Sequence, residues 1–264
     1  MHRPPAEGCA LDDVILETQG LTKEFAGFTA VSGVDLKVRR GTIHALIGPN
    51  GAGKTTVFNL LTKFLEPTAG KIVYGGRDIT ALRAPEVARL GMVRSFQISA
   101  VFPHLSVREN VRIALQRPLG TSFQFWRSER CLDALNPRAD ALIAAVGLAD
   151  DRQSTAAELP YGRKRALEIA TTLALEPELL LLDEPMAGLG HEDIGRIAGL
   201  IREVARSRTV LMVEHNLSVV ADLSDIITVL TRGRVLAEGS YAQVSGNAEV
   251  REAYMGTGAV AGHA

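Results

Sequence analysis

The sequence predicts an α/β fold with a mainly parallel sheet and crossover helices, and three observations predict it. Short apolar runs recur along the 264 residues and alternate with segments of helical period. One of these runs, at 42–48, leads directly into a Gly-rich turn and then into a helix. Strands that alternate with helices form parallel sheets, because the connections between parallel strands are crossovers.

Composition limits the class of protein. Hydrophobic residues make up 46% of the chain and charged residues 22%, which is typical of a globular protein with a sizeable core. The formal net charge of −1 does not favour nucleic-acid binding. Cys9 and Cys131 are the two cysteines, too few for a disulfide framework. We expect no signal peptide and no membrane span, since no window approaches ~18 uninterrupted apolar residues.

The first part of the chain is expected to be rich in strands. Strands are predicted at 14–20 and 34–39, with a loop between them. The segment "GKIVYGGRDI" predicts a hairpin around Gly75 and Gly76. A further strand is expected at 92–97.

The middle of the chain, about 98–158, reads as a helical insertion in the α/β core. Ser106 and Glu109 have the spacing of a capping box, so a helix is expected to begin there. A second helix is expected to stop at Gly147. After the insertion, Pro160 suits the first position of another helix.

The stretch "GPNGAGKTT" at 48–56 matches the pattern G-x-x-x-x-G-K-[ST]. Backbone N–H groups of such a loop surround phosphate oxygens, and the following helix adds its positive end. Lys54 would place a cation on the β- and γ-phosphates. Thr55 would supply a hydroxyl to Mg²⁺, and Thr56 would be a further donor to phosphate. The sequence therefore predicts a nucleotide-binding loop.

A second group of polar residues follows the apolar strands. In "LLLLDEP", Asp183 would orient Mg²⁺ and its waters, and Glu184 would polarise the attacking water. His215 ends the strand "TVLMVE", at the edge where open α/β sheets bind ligands. Gln97 ends another strand and would be a neutral ligand for the metal or the water. Histidine or glutamine alone would be weak evidence.

Taken together, these motifs resemble the ATP-binding subunit of ABC transporters over residues 14–256. The matching segments are "GPNGAGKTT", Gln97, "LPYGRKRALEIA", "LLLLDEP", "AGLG" and "VEH". Within that family, "FNLLTKFLEPTAGKI" and "RSFQISAVFPHLSVRENV" resemble the branched-chain amino-acid uptake class. The resemblance implies a P-loop NTPase (RecA-like) core, an N-terminal antiparallel β subdomain and an inserted helical subdomain.

The resemblance also implies boundaries and roles. The expected segments are a tail at 1–13, core at 14–97, the helical subdomain at 98–158, core at 159–256 and a tail at 257–264. Glu184, His215 and Gln97 would be catalytic, and Thr55, Gln97 and Asp183 would serve the metal. ATP would contact Phe25, Asn50, Gly51, Ala52, Gly53, Lys54, Thr55, Thr56, Pro160, Tyr161 and Gly162. Phe25 would stack on adenine, with Phe28 as the nearby competitor.

Two positions depart from the family pattern. The general signature Leu-Ser-Gly-Gly-Gln is here "LPYGR", so Pro160 replaces the serine and Arg163 the glutamine. Tyr161 fits the branched-chain class. Gly190 stands where the D-loop usually has an acid or an amide, so this chain lacks the side chain that makes the cross-dimer hydrogen bond of that position.

The partners follow from the same resemblance. Each ATP would lie between the phosphate loop of one subunit and the signature helix of a second ATP-binding subunit, identical or homologous. The helical subdomain would contact integral-membrane permease subunits, with Phe102, Pro103 and His104 near the contact. An extracytoplasmic solute-binding protein would act indirectly, and the chain would lie peripherally on the cytoplasmic face of the plasma or inner membrane.

Three alternatives stay open at this point. One is an ABC-type ATPase acting on nucleic acid or ribosomes, which the single phosphate loop and sparse positive charge disfavour. Another is a non-hydrolysing regulatory cassette, which the intact Lys54, Asp183, Glu184 and His215 disfavour. The third is an importer of another small solute, such as urea or an organic acid.

Overall fold

The computed structural model describes residues 13–95, 101–117 and 129–255. These described residues divide into two compact units, one within the ranges 1–84 and 224–264 and the other within the range 85–223. The elements are β1 (Val14–Phe25), β2 (Phe28–Arg39), β3 (Ile43–Ile47), α1 (Lys54–Leu61), β4 (Ala69–Tyr74), β5 (Arg77–Asp78), α2 (Ala84–Arg89), β6 (Met92–Ser95), α3 (Val107–Gln116), α4 (Asn136–Ala145), α5 (Tyr161–Leu173), β7 (Leu179–Asp183), α6 (His191–Ala205), β8 (Thr209–Val213), α7 (Leu217–Leu223), β9 (Ile226–Thr231), β10 (Arg234–Gly239), α8 (Tyr241–Gly246) and α9 (Ala248–Met255).

The first unit contains the predicted antiparallel β layer, in the strand order β2-β1-β4-β5. The prediction of a loop between the strands at 14–20 and 34–39 is wrong, because β1 and β2 form one long hairpin. Ala26 and Gly27 make its two-residue turn, and both have positive φ, as such hairpin turns require. Gly33 was expected in a loop, but it lies within β2. Its positive φ occurs beside a register shift in the β1–β2 ladder.

The same unit carries the strand that leads into the phosphate loop. All five residues of β3 are buried, and β3 pairs in parallel with β9. β9 then pairs antiparallel with β10. The hairpin predicted around Gly75 and Gly76 is confirmed, since both have positive φ and connect β4 to β5.

The second unit contains three parallel strands in the order β8-β7-β6. Every residue of β7 and β8 is buried, which agrees with the apolar runs of the sequence. The predicted parallel pairing is thus confirmed within each unit. The boundaries proposed for the helical subdomain stay a prediction.

The helices of the middle segment begin and end where local signals placed them. Ser106 accepts a hydrogen bond from the backbone N–H of Glu109, and the Glu109 carboxylate accepts one in return, which confirms the capping box. Gly147 has a φ of 74° just after α4 ends. In the described ranges no helix combines the length and the apolar character needed to cross a bilayer.

His44 is a fully buried histidine in β3 of the first unit. Its Nε2 lies 2.7 Å from Thr228 Oγ1, and that hydroxyl donates its proton to Glu238 Oε2 at 2.6 Å. Thr228 Oγ1 must therefore accept from Nε2–H, so Nδ1 is the nitrogen that would take up a proton. Nδ1 is buried and has no hydrogen-bond partner among the described residues. Burial lowers the pKa of His44 from 6.5 to about 4.

We predict that His44 makes the folded state sensitive to acid. The pKa is lower in the folded than in the unfolded state, so the chain gains its proton more easily when unfolded. The contribution of neutral His44 to the free energy of unfolding is therefore fully present above pH 6.5, and it is lost as the pH decreases toward 4. The loss from this one group is about 2 kcal/mol at pH 5. Urea unfolding of the wild type and His44→Gln at pH 7, 6 and 5 should show their difference shrinking or reversing. A constant difference would contradict the prediction.

Candidate functional site

The phosphate loop follows β3 in the first unit, and two glycines let it pack closely. Gly48 has a φ of 152°, and a Cβ there would lie 2.1 Å from the backbone oxygen of Leu230. Gly53 has a φ of 99°, and a Cβ there would lie 2.7 Å from the backbone oxygen of Ala30. Any other residue would have to push β2 or β9 away. These positions therefore need glycine for packing as well as for access to a ligand.

The loop is arranged to meet an anion. Gly53, the N-cap of α1, has no side chain to occupy the first N–H groups of the helix, and the first turn contains no acid. The Lys54 side chain is 8% exposed, and its Nζ donates to the backbone oxygens of Gly48 at 2.6 Å and Pro49 at 3.0 Å. A buried ammonium thus lies against the turn, where phosphate oxygens would meet positive charge.

The other loop residues predicted to contact nucleotide differ in exposure. Asn50, Gly51 and Thr55 are exposed, Thr56 is half-buried and Ala52 is buried. Ala52 anchors the loop, because its backbone oxygen accepts from the N–H of Gly233 at 3.0 Å. Because Thr55 is exposed, its hydroxyl, the proposed metal ligand, is accessible in the first turn of α1.

Phe25 and Phe28 lie opposite each other at the tip of the β1–β2 hairpin. Phe25 is 42% exposed and Phe28 is 66% exposed. The Nζ of Lys23 lies 5.2 Å from the centre of the Phe25 ring, which is within the range of a cation–π contact. Both rings are accessible for stacking, so the role assigned to Phe25 stays a prediction.

Asp183 is the last residue of β7 in the second unit, and it is 2% exposed. Its Oδ2 lies 2.5 Å from a guanidinium nitrogen of Arg94, which comes from β6. Its Oδ1 is buried and has no hydrogen-bond partner among the described residues. A buried carboxylate oxygen without a partner is costly, and it is a suitable oxygen donor for Mg²⁺ or for a water bound to it.

The turn after Asp183 is held by a second arginine. Glu184 has a φ of 46°, a region that is strained for a residue with a side chain. The guanidinium of Arg165, from α5, donates to the backbone oxygens of Glu184 at 2.9 Å, Pro185 at 3.2 Å and Asp183 at 3.3 Å. Arg165 also pairs with Glu168 at 2.7 Å, and both are buried. This fork fixes the direction in which the turn leaves β7.

His215 follows β8 and is exposed, so its ring is accessible to a ligand. The residue before it, Glu214, is fully buried. Glu214 Oε2 accepts from the backbone N–H groups of His215 at 3.1 Å and Asn216 at 3.3 Å, and Oε1 accepts from Met186 at 2.9 Å. Glu214 was not among the predicted site residues, although an acid at the end of an all-apolar strand was the signal available.

The start of α5 corrects one expectation and explains the cations that follow it. Pro160 is the N-cap, with an extended ψ of 155°, so the helix begins at Tyr161 and not at Pro160. Tyr161 is exposed, and Gly162 is buried. A Cβ at Gly162 would lie 2.3 Å from Asp193 Cγ and would displace that side chain. Arg163 pairs with Asp151. With Arg165 buried as well, two of the three consecutive cations are used within the unit.

Two predicted groups stand apart from this geometry. Gln97 lies outside the described residues. Phe102, Pro103 and His104 are exposed, and Asn110 fixes the turn that carries them. The Asn110 amide accepts from Phe102 N–H at 2.7 Å and donates to the Phe102 oxygen at 3.1 Å. An aromatic ring, 52% exposed, is therefore presented on a well-held turn.

We predict that removing Arg165 alone strongly destabilises the second unit. Arg165→Met leaves the buried Glu168 carboxylate without its cation, which should cost about 3–5 kcal/mol. Arg165→Met combined with Glu168→Leu should recover part of this loss, since no charge is then left buried. Denaturant unfolding measures both variants.

The matched control is Arg206→Met, because Arg206 is 73% exposed and pairs with Glu203 on the surface of α6. It should change the unfolding free energy by about 0.5 kcal/mol or less. Equal effects at Arg165 and Arg206 would show that the fork on the turn contributes nothing.

Comparison with known sequences places the chain in a family. The family described as ABC transporter matches residues 31–187, and the one described as branched-chain amino acid ATP-binding cassette transporter matches residues 234–260. The chain is 41% identical over 252 residues to the high-affinity branched-chain amino acid transport ATP-binding protein BraF of Pseudomonas aeruginosa. It is 38% identical over the same length to LivG of Escherichia coli. Each alignment covers 92% of this chain and 98% of the relative.

Solved structures agree with these relatives. The crystal structure of a nucleotide-free ATP-binding cassette from an ABC transporter is 28% identical, with a TM-score of 0.81 over 91% of this chain and 98% of that one. A cassette solved in its ADP conformation is 30% identical, with a TM-score of 0.81 over 92% and 99%. The phosphate loop and the turn with Asp183 and Glu184 agree with these sequence and structure comparisons. The chain belongs to the ABC transporter family, as an ATP-binding cassette with the P-loop NTPase fold and ATPase function of that family.

Proposed function

We propose that the chain is the motor subunit of an importer for branched-chain or related amino acids. The observation that carries the proposal is the phosphate loop, with Lys54 buried against the backbone oxygens of its own turn. The match of residues 234–260 to the branched-chain class, and the names of the relatives, support the choice of solute. The partners would be permease subunits, a second ATP-binding subunit and, indirectly, a solute-binding protein, with the chain lying peripherally on the cytoplasmic face of the membrane.

The residues of the first unit would bind ATP. Residues Asn50–Gly53 would surround the phosphates with backbone N–H groups, and Lys54 and Thr56 would add charge and a donor. Phe25 would stack on the adenine. Gly48 and Gly53 support this role, because they let the loop turn closely beside β9 and β2 without a steric clash.

The residues of the second unit would act on the attacking water. Glu184 would take its proton, and His215, on the next turn, would hold it near the terminal phosphate. Thr55 and Asp183 would hold Mg²⁺, with Gln97 as a further ligand; when bound, the ion would neutralise phosphate charge. The unpartnered Oδ1 of Asp183 fits that role, since Arg94 occupies only the other oxygen.

The start of α5 would face the ATP of the second subunit. Pro160 supplies no hydroxyl and no N–H, so Tyr161, Gly162 and the dipole of the helix would provide the contact. ATP drives closure of the dimer because the closed state gains phosphate contacts that the open state lacks. The exposed turn at Phe102 would pass this motion to the permease.

We predict that Glu184→Gln traps an ATP-bound dimer with little turnover. The amide keeps the size of the side chain but does not accept the proton of the attacking water, so binding proceeds and hydrolysis stops. Size-exclusion chromatography with ATP should show the dimer, and phosphate release should fall at least ~100-fold. Glu192→Gln, an exposed acid in the first turn of α6, is the control and should keep wild-type turnover. Failure of the wild type to bind or hydrolyse ATP with its partners present would refute the proposed function.

The solute is tested by transport. The chain, its permease and its binding protein would be placed in proteoliposomes that contain ATP. Labelled leucine, isoleucine or valine should accumulate, and only when ATP is present. Uptake of urea or a small organic acid, with no uptake of amino acids, would assign the motor to another solute.

A further inference from the structure

Glu214 is a buried carboxylate that joins the two turns carrying the proposed catalytic side chains. It is 0% exposed and follows the last residue of β8. Oε1 accepts from the N–H of Met186 in the turn after β7. Oε2 accepts from the N–H groups of His215 and Asn216 in the turn after β8. One side chain thus ties together two segments that are far apart in sequence.

Both oxygens of this carboxylate are acceptors, so it binds as the anion. Hydrogen bonds from N–H groups to an ionised acceptor are stronger than neutral ones, and burial makes them costly to break. The link is therefore stiff, and a shift of one turn must move the other or break a bond to a buried charge.

The N–H groups that Glu214 binds lie next to Glu184 and His215, the two proposed catalytic residues. Met186 comes two residues after Glu184, whose own N–H donates to the oxygen of Val213 at 3.0 Å. His215 is bonded through its own backbone. The anchor points are thus next to the two side chains proposed to handle the water, and the strained φ of Glu184 requires support of this kind.

We propose that Glu214 is a positioning residue that sets the placement of Glu184 relative to His215. The inference rests on the proposed function of those two side chains. Glu214 itself touches neither nucleotide nor water in this role; it acts through the backbone of the two turns. Removing it should slow the chemical step and leave ATP affinity nearly unchanged, because the phosphate-loop residues bind ATP.

The test compares carboxylate variants of the full-length chain. In Glu214→Gln, one oxygen is replaced by an NH₂ group that faces backbone N–H donors, so one of the two turns loses its acceptor. Glu214→Asp keeps the charge but is one methylene shorter and does not reach both turns. In each variant we expect kcat to fall about 10- to 100-fold, while KM and the Kd for ATP change by less than about threefold. A role in folding alone would lower the melting temperature and the active fraction without lowering kcat per bound ATP.

Glu109→Gln is the matched control, because Glu109 is also a carboxylate that accepts from a backbone N–H, in the capping box of α3. It should leave kcat of the isolated chain unchanged. Wild-type kcat in both Glu214 variants would overturn the proposal. So would an equal loss of kcat in the control.

Hydrogen exchange of the wild-type chain gives a second measurement that needs no variant to fold. The amides of Met186, His215 and Asn216 should be strongly protected, although they lie in turns. Exchange at the rate of exposed loops would overturn the proposal whatever the variants do. Absence of ATP hydrolysis by the wild type with its partners present would instead refute the proposed function, and protection of these amides would leave the link between the turns intact.

Discussion

The turn from Asp183 to Met186 is the constraint on which the candidate site in the second unit depends. Its backbone is strained at Glu184, with a φ of 46°, and such a conformation persists only where the surroundings hold it. Arg165 takes the backbone oxygens of the turn, and Glu214 takes one of its N–H groups. A cation on the oxygens and an anion on the N–H side match the polarity of the peptide groups, so side chains hold the turn from both sides.

The charged side chains around this turn have different energetic roles. Arg94 and Asp183 form a close pair, but the pair leaves Asp183 Oδ1 without a partner among the described residues. The charge of Arg165 is shared between Glu168 and peptide oxygens, and Glu214 accepts only from peptide N–H groups. Burying ions usually costs as much as their attraction returns, so such groups are weak sources of net stability. Their effect is to select one geometry, which is what a reaction at fixed distances requires.

The sequence was sufficient for features whose causes are local. The phosphate loop, the capping box at Ser106 and the glycine turn at Gly75 each depend on residues a few positions apart. The long β1–β2 hairpin was missed, because Gly27 and Gly33 look alike in sequence while one makes a turn and the other adjoins a register shift. The start of α5 was expected at Pro160, one residue before the helix begins. Proline is compatible with both the N-cap and the first helical position, and only the extended ψ of Pro160 shows that it is the N-cap.

The residues that sequence reasoning could not assign are those whose partners are distant in the chain. Arg165 appeared as one of three cations in a row, which are equivalent by composition. Arg163 nevertheless pairs with Asp151 and stays partly exposed, while Arg165 is buried. Helical period separates them, since residues two apart point in different directions. The buried one lies one turn inside α5 and bonds the strained turn through a planar, rigid group. Any displacement of the start of α5 must therefore move the turn at Glu184 or break these hydrogen bonds. We conclude that the start of the signature helix and this turn move together.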